Sequence, residues 1–385
     1  MSAILKWCSA AVVLFMLTGC WDSKTIQNMA YVTALGLDYQ NGRYIAYIQV
    51  LNFTNVARSE KLEIGKSTPV WIGRGEGKTM VEALTSIYQT SQLRVYWGHI
   101  KAVICTGALL NNKNALRQAY DAINRYPEVR YNVLLYGTKD RFLELLSNKS
   151  IFNLSSLDSL MDSPEETFAQ RSMIQPQYGY RNIAQLNEKG RTIILPTLTI
   201  SNKEWHQDQM KKGMYRIDGA FAMKEQHLSG WYSEDDLKGL RWINKITKQV
   251  YVMIPDAKKP TGALFLTKPH HRIQMVAQQG EARFNLYISV KGSVEEMAEN
   301  VSVSTMQAQA AQVVLEEIRA TYMKGFASQT DLLNLFGVMY RNQPKLWHRL
   351  NDHHQLVLKE DTLKKIDVHV KLTHTGKYKG RVLPD

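Results

Sequence analysis

Alternating and helical spacings succeed one another along the chain. From Ala30 to Phe53 two stretches, "AYVTALGLDY" and "RYIAYIQVLNF", are rich in aromatic and β-branched residues. Asn41-Gly42 between them suits the positive φ values of a tight primed turn, so the pattern predicts a β-hairpin. "EGKTMVEALTSIYQ" then changes period: Thr79 and Glu82 form a T-x-x-E capping box, and Ala83, Leu84, Ile87 and Tyr88 share one helical face. "HIKAVICTG" reads as a strand. "NALRQAYDAINRY" reads as a helix with Leu116, Tyr120 and Ile123 in line. "EVRYNVLLYG" is a strand, and "TKDRFLELLS" opens a helix with Thr138 as its cap. Strands alternating with short helices imply an α/β arrangement.

Ser163-Pro164-Glu165-Glu166 reads as a helix start, with carboxylates at the positive end of the dipole. "IQPQYGYRNIAQLNEKG" is polar and irregular. "RTIILPTLTIS" is a strand, and Pro196 inside it predicts an edge position. "NKEWHQDQMKKG", polar and ending at Gly213, marks the main domain boundary.

Strands resume after it. "YRIDGAFAMK" and "EQHLSGWYS" lead to Ser233, which caps a predicted helix "EDDLKGLRWI" with Asp236 three residues on. "KQVYVMI", "GALFLTK" and "HRIQMVAQ" read as three strands. In "EARFNLYISVK" Ala282, Phe284, Leu286, Ile288 and Val290 alternate with polar residues, as in a strand with one face on a core. A helix is predicted from about Ser304 to Met323, with Ala310, Val313, Val314, Ile318 and Tyr322 at helical spacing. "DLLNLFGVMY" reads as another, ending near Pro344, and "LKKIDVHVKL" as a closing strand.

These elements predict an α/β fold, mixed α+β in detail, of two to three domains with mixed β-sheets flanked by helices. The expected divisions are a leader at 1–19, an N-terminal α/β domain at 20–205 with 140–205 as a candidate subdomain, and a C-terminal α/β domain at 206–385. The 385 residues suffice for such a plan, and 44% hydrophobic with 22% charged residues is an ordinary globular composition.

The start of the chain changes the picture. Lys6, the apolar run Ala10 to Leu17 and the small residues Thr18 and Gly19 have the layout of a secretory signal, too short to span a bilayer. It ends Leu17-Thr18-Gly19-Cys20, a lipobox pattern in which the Cys20 thiol receives a diacylglyceryl group and becomes the mature N-terminus. A thiol is needed there because it is the soft nucleophile that forms a thioether. The alternative is an uncleaved short anchor carrying a chance cysteine. Cys105 then stands alone and reads as a structural thiol within a strand. A net charge of +13 on an exported, tethered protein either draws it to anionic lipid, wall polymer or an acidic protein, or serves solubility. Nucleic acid suits such a protein poorly.

Catalytic and metal patterns are weak. "GRGEGKT" at Gly73–Thr79 falls one residue short of a Walker loop and reads as a glycine loop feeding the capped helix. His348, His353 and His354 cluster, as do His270 and His271, but no H-E-x-x-H occurs. A G-x-S-x-G elbow is absent. The pairs Glu165-Glu166, Asp235-Asp236 and Glu295-Glu296 sit at predicted helix starts, where the dipole accounts for them. No enzyme, cofactor or metal is expected.

Several stretches together resemble one family, Ger(x)C, the lipoprotein C subunit of GerA-type nutrient germinant receptors of bacterial spores. The lipobox runs into "CWDSKTIQNMAYVTALGLDY", similar to the family's C-W-D opening and its G-x-D strand end, here Gly36-Leu37-Asp38. Thr79, Glu82, Ala83, Tyr96, Trp97 and His99 match a T-x-x-E-A helix followed by Tyr-Trp-x-His. Asp331, Phe336, Gly337, Pro344 and Trp347 match a closing pattern. After Trp347 the chain departs, with polar "HRLNDHHQL" where the family carries aromatics. The resemblance implies a non-enzymatic receptor subunit on the outer face of the spore inner membrane, anchored by lipid on Cys20 beside two integral membrane subunits of A and B type. It assigns no ligand residue. The competing readings are a solute-binding lipoprotein that itself takes a nutrient, and a tethered wall hydrolase.

Overall fold

The computed structural model describes residues 7, 29–51, 69–149, 151, 159–186, 188–278, 281–297, 301–353 and 355–374. Cys20, the expected leader apart from residue 7, and His354 lie outside the described residues. Two sheets organise the molecule. The first contains β1 (Met29–Gln40), β2 (Arg43–Leu51), β3 (Trp71–Gly77), β4 (Arg94–Tyr96), β5 (Ala102–Thr106), β6 (Leu134–Thr138), β7 (Gln177–Tyr178), β8 (Thr192–Gln207), β9 (Met210–Lys224) and β10 (His227–Ser233). Its order is β10-β9-β8-β6-β5-β1-β2-β3, with β4 on β1 and β7 on β6. β1 is antiparallel to β2 and parallel to β5, so the sheet is mixed, in line with the expected fold class.

The first hairpin follows its sequence signal: Asn41 and Gly42 have φ of 50° and 76°, and Gln40 pairs with Arg43. Both faces of the sheet centre are covered. On one lie α1 (Met80–Ser86), α2 (Gly107–Asn111) and α3 (Lys113–Asn124), which bury Met80, Leu84, Leu109 and Ala119 against Val32, Leu35 and Ile48. On the other, α4 (Phe142–Ser147) buries Phe142, Leu145 and Leu146 against Ala34, Ile104 and Tyr136. The short helices α5 (Glu165–Gln170) and α6 (Gly179–Leu186) flank β7. The capping box at α1 forms: Thr79 Oγ1 accepts from the Glu82 N–H at 3.1 Å, and Glu82 reaches back to the Lys78 N–H at 2.6 Å.

The second sheet has the order β11 (Gln249–Ile254), β12 (Gly262–Gln278), β13 (Glu281–Met297), β14 (Leu363–His374). β13 alternates as its sequence predicts, burying Phe284, Leu286, Ile288 and Val290. α7 (Val303–Ala327) lies across that face with Met306, Ala310, Val314 and Ile318, and α8 (Leu335–Asn342) and α9 (Pro344–Asp352) close the end of the core.

Several local expectations are corrected. Gly73 to Gly77 is the strand β3, paired along β2, and not a loop. Its glycines serve packing: a Cβ on Gly75 would stand 2.0 Å from the Ala83 carbonyl oxygen of α1. Pro196 is not on an edge strand. β8 lies between β9 and β6, and its contact with β6 is the single pair Gly137↔Thr197, so the missing donor costs little there. The polar segment 202–213 is the tip of the β8–β9 hairpin, with Trp205 opposite Lys212, and position 205 lies within β8. "GALFLTK" and "HRIQMVAQ" form one strand, β12, irregular between Thr267 and His270 where Lys268 has φ 45°. Glu295 and Glu296 lie in β13. Thr138 ends β6 and accepts from the Asp140 N–H, while Arg141 stands at the N-cap of α4.

The Ser233–Asp236 box also forms, yet the segment after it becomes a 3-10 turn, Lys238–Trp242, rather than an α-helix. The reason lies in α7. Thr321 Oγ1 accepts from the Gly239 N–H at 2.9 Å and donates to the Asp236 carbonyl at 2.8 Å, taking groups that α-helical bonding would use. A Cβ on Gly239 would meet the Ile318 Cα at 2.7 Å, so glycine lets this segment press against α7.

Candidate functional site

The chemistry-bearing side chains converge where the first sheet meets the second. α7 carries an apolar stripe of Ala310, Val314 and Ile318, and Glu317 and Thr321 fall beside it at three- and four-residue steps. Glu317 therefore points inward. Its carboxylate accepts from Arg241 Nη2 at 2.6 Å, Arg241 Nε at 3.1 Å and Trp242 Nε1 at 2.7 Å. Arg241 also donates to the Met173 sulfur at 3.1 Å, and its guanidinium lies over the Trp242 ring at 5.1 Å. Arg241 is 8% exposed and Trp242 is fully buried, so the pair of charges is desolvated and bidentate.

Around it the two halves are joined by matched polar contacts. The Ser172 hydroxyl accepts from the Lys248 and Gln249 N–H groups, and Gln249 Nε2 donates to the Gln170 carbonyl at 2.7 Å. Beside the junction, on the first-sheet side, Glu234 just past β10 is buried and binds Arg171 and, at 3.2 Å, Arg216 of β9. The Tyr232 hydroxyl on β10 meets Ser328, just past α7, at 2.6 Å. On the far side Asn334 bonds Thr192 of β8 twice, and Arg341 of α8 reaches Glu188 at 2.7 Å. An apolar group, Met173, Ile174, Ala220, Ala222, Tyr232, Leu237 and Leu332, fills the space between.

The residues carrying the family resemblance serve this frame. Asp38 at the end of β1 accepts from the Tyr39 N–H at 2.8 Å and from Thr106 Oγ1, and Thr106 caps α2. A Cβ on Gly36 would stand 2.5 Å from the Phe142 ring, so this glycine lets α4 close on β1. Tyr31, Tyr96 and His99 form an aromatic group with centroids 5.0–5.7 Å apart. Burial, helped by Arg130 and Lys101, holds the His99 imidazole below its ordinary pKa. Trp97 Nε1 donates to the Tyr88 hydroxyl at 2.9 Å.

Asp331 is buried before α8, and its carboxylate accepts from the Phe336 N–H at 2.7 Å. Burial pushes its carboxyl up to about 6. Asn334, between them, has φ 55°, a left-handed conformation that asparagine tolerates. Trp347 of α9 packs where Gly190 leaves room: a Cβ there would stand 2.6 Å from its Nε1.

The remaining candidates stay apart. His270 and His271 lie on β12, His348 and His353 on and just after α9, and Glu165 and Glu166 in the first turn of α5. Among the described residues no group of three or more His, Cys, Asp or Glu could hold a metal ion. No described helix is long and apolar enough to cross a membrane. Burial pushes the Cys105 thiol up to about 12, far from a reactive thiolate. The sequence reading missed Glu317, Arg241, Glu234 and Asn334. A carboxylate beside the α7 stripe was the available signal.

Comparison with known proteins agrees with this architecture. Residues 22–200 match the family model described as the spore germination protein N-terminal domain, and residues 218–376 match that described as spore germination B3/GerAC-like, C-terminal. Spore germination protein KC of Bacillus subtilis (strain 168) is 22% identical over 372 residues, covering 91% of each chain. Spore germination protein B3 of the same organism is 21% identical, over 94% of this chain and 96% of that one. The crystal structure of the GerBC protein matches with a TM-score of 0.53 at 16% identity, over 88% of this chain and 96% of that one, which shows a shared fold.

Proposed function

The chain belongs to the spore germination GerAC family through both its domains, and from that premise we propose that it works as a non-catalytic, lipid-anchored coupling subunit of a germinant receptor. In this reading Cys20 carries the diacylglyceryl anchor. The body sits on the outer face of the spore inner membrane beside two integral membrane subunits of A and B type. The reading rests above all on the two family domains following one another in order over residues 22–200 and 218–376. The sheet junction supports a mechanical role: matched charges and hydrogen bonds tie the halves into one body, so a push at one end is passed on rather than absorbed. Anionic lipid or wall polymer is a secondary partner suggested by the net charge of +13.

Spores carrying Cys20→Ala test the reading. The variant protein is expected to leave the membrane fraction while remaining folded, and the nutrient response to fall. Normal partitioning with a normal response contradicts the anchored placement.

A further inference from the structure

We propose that a cavity in the first domain binds a small apolar molecule ending in a carboxylate. The cavity measures about 190 Å³ and lies on the first sheet between α3 and α6. Its origin is legible in α3. Ala115, Ala119 and Ala122 are the residues that α3 buries, and their small side chains bring the helix close to the sheet. The larger Leu116 and Ile123 pack at the margin of that core, half-buried, and line the cavity. Ile183 of α6 faces them, and Cys105, Leu135 and Leu195 from three adjacent strands form the floor.

Size limits the occupant. A cavity of ~150 Å³ lined by aliphatic and aromatic groups stays dry and takes benzene. By proportion this one suits an apolar body of about seven to eight heavy atoms, too few for a membrane acyl chain. Charge sets the end group. Arg117 and Arg130 are exposed residues that also line the cavity, and no Asp or Glu does so. Asn182 lines it too, with its Oδ1 buried and without a hydrogen-bond partner. An ammonium would find two arginines and no carboxylate in the lining.

The test is calorimetric titration of the purified full-length chain with butanoate, hexanoate, octanoate, decanoate and hexylamine. Affinity is expected to rise to octanoate and then level off with longer acids, and hexylamine is expected to bind at least tenfold more weakly than hexanoate. Leu116→Trp, which fills the cavity, is expected to abolish hexanoate binding with an unchanged circular dichroism spectrum. Should that variant fail to fold, Arg117→Glu with Arg130→Glu changes exposed residues and is expected to weaken hexanoate at least tenfold. Absence of hexanoate binding, equal binding of hexylamine, or full binding by a folded Leu116→Trp protein overturns the proposal.

Discussion

Asn334 pairs with Thr192 as one strand pairs with another. The Thr192 N–H donates to Asn334 Oδ1 at 2.7 Å, and Asn334 Nδ2 donates to the Thr192 carbonyl at 3.1 Å. A side-chain carboxamide thus completes the start of β8 from the second half of the molecule, 142 residues away in sequence. Asn334→Ala strands a backbone donor and acceptor and places alanine at φ 55°. A loss of about 1–3 kcal/mol is expected from the unmade bonds. Asn334→Gly relieves the backbone but not the bonds, so it should recover only part of the loss. Urea unfolding of the two variants measures the split, and equal stability of Asn334→Ala and the parent protein would contradict it.

The Glu317–Arg241 pair gives a larger effect. Glu317→Ala leaves the Arg241 guanidinium, 8% exposed, and the Trp242 N–H without their acceptor. Breaking a buried pair from one side costs about 3–5 kcal/mol, whereas replacing both partners with apolar groups of similar volume is far milder. Glu317→Leu with Arg241→Met is therefore expected to be more stable than Glu317→Ala alone. Thermal unfolding of the single and double variants checks the order, and a double variant weaker than the single one would reject the account.

What was legible follows from how burial marks a sequence. β13 and α7 each bury one side, so their periods appear as alternation and as a helical stripe. Asn41-Gly42 and the Thr79–Glu82 box act locally and need no tertiary help. The hairpin at 202–213 left no such mark, because most of its residues are exposed on both faces. The segment at Lys238–Trp242 read as an α-helix since its cap was correct, and the competing hydroxyl, Thr321, lies 82 residues further on. The junction was the least legible part. Its charges are paired across long separations, and a single residue such as Arg241 looks like any surface arginine until its partner is known.

Gly75 tests the reading of β3 as a packed strand. A Cβ at Gly75 meets the backbone oxygen of Ala83 at 2.0 Å, so α1 itself has to move. At Gly73 the nearest atoms are side-chain carbons of Ile48 and Ile87 at 3.0 and 3.1 Å, which can give way. Gly75→Ala is expected to cost about 1–3 kcal/mol or more, in the range of overpacked cores, and Gly73→Ala clearly less. Chemical denaturation midpoints compare the two directly. Near-equal losses would mean that α1 does not rest on Gly75.

Asp331 makes stability depend on pH in a stated direction. Burial raises its carboxyl from 3.8 to about 6, against the pull of the Phe336 and Leu335 N–H groups. Between those two values the folded chain holds a proton that the unfolded chain has released. The stabilisation from this group is therefore complete below about pH 4 and is lost as pH rises through about 6. Asp331→Asn carries no titrating group in either state. The stability of the parent minus that of the variant should grow as pH falls from 7 to 4, by at most about 3 kcal/mol at 1.36 kcal/mol per pKa unit. Urea titrations of both proteins at pH 4, 5.5 and 7 measure the difference. A flat difference would mean that the carboxyl titrates alike in both states, and one that shrinks toward acid would mean that the N–H groups of α8 outweigh burial.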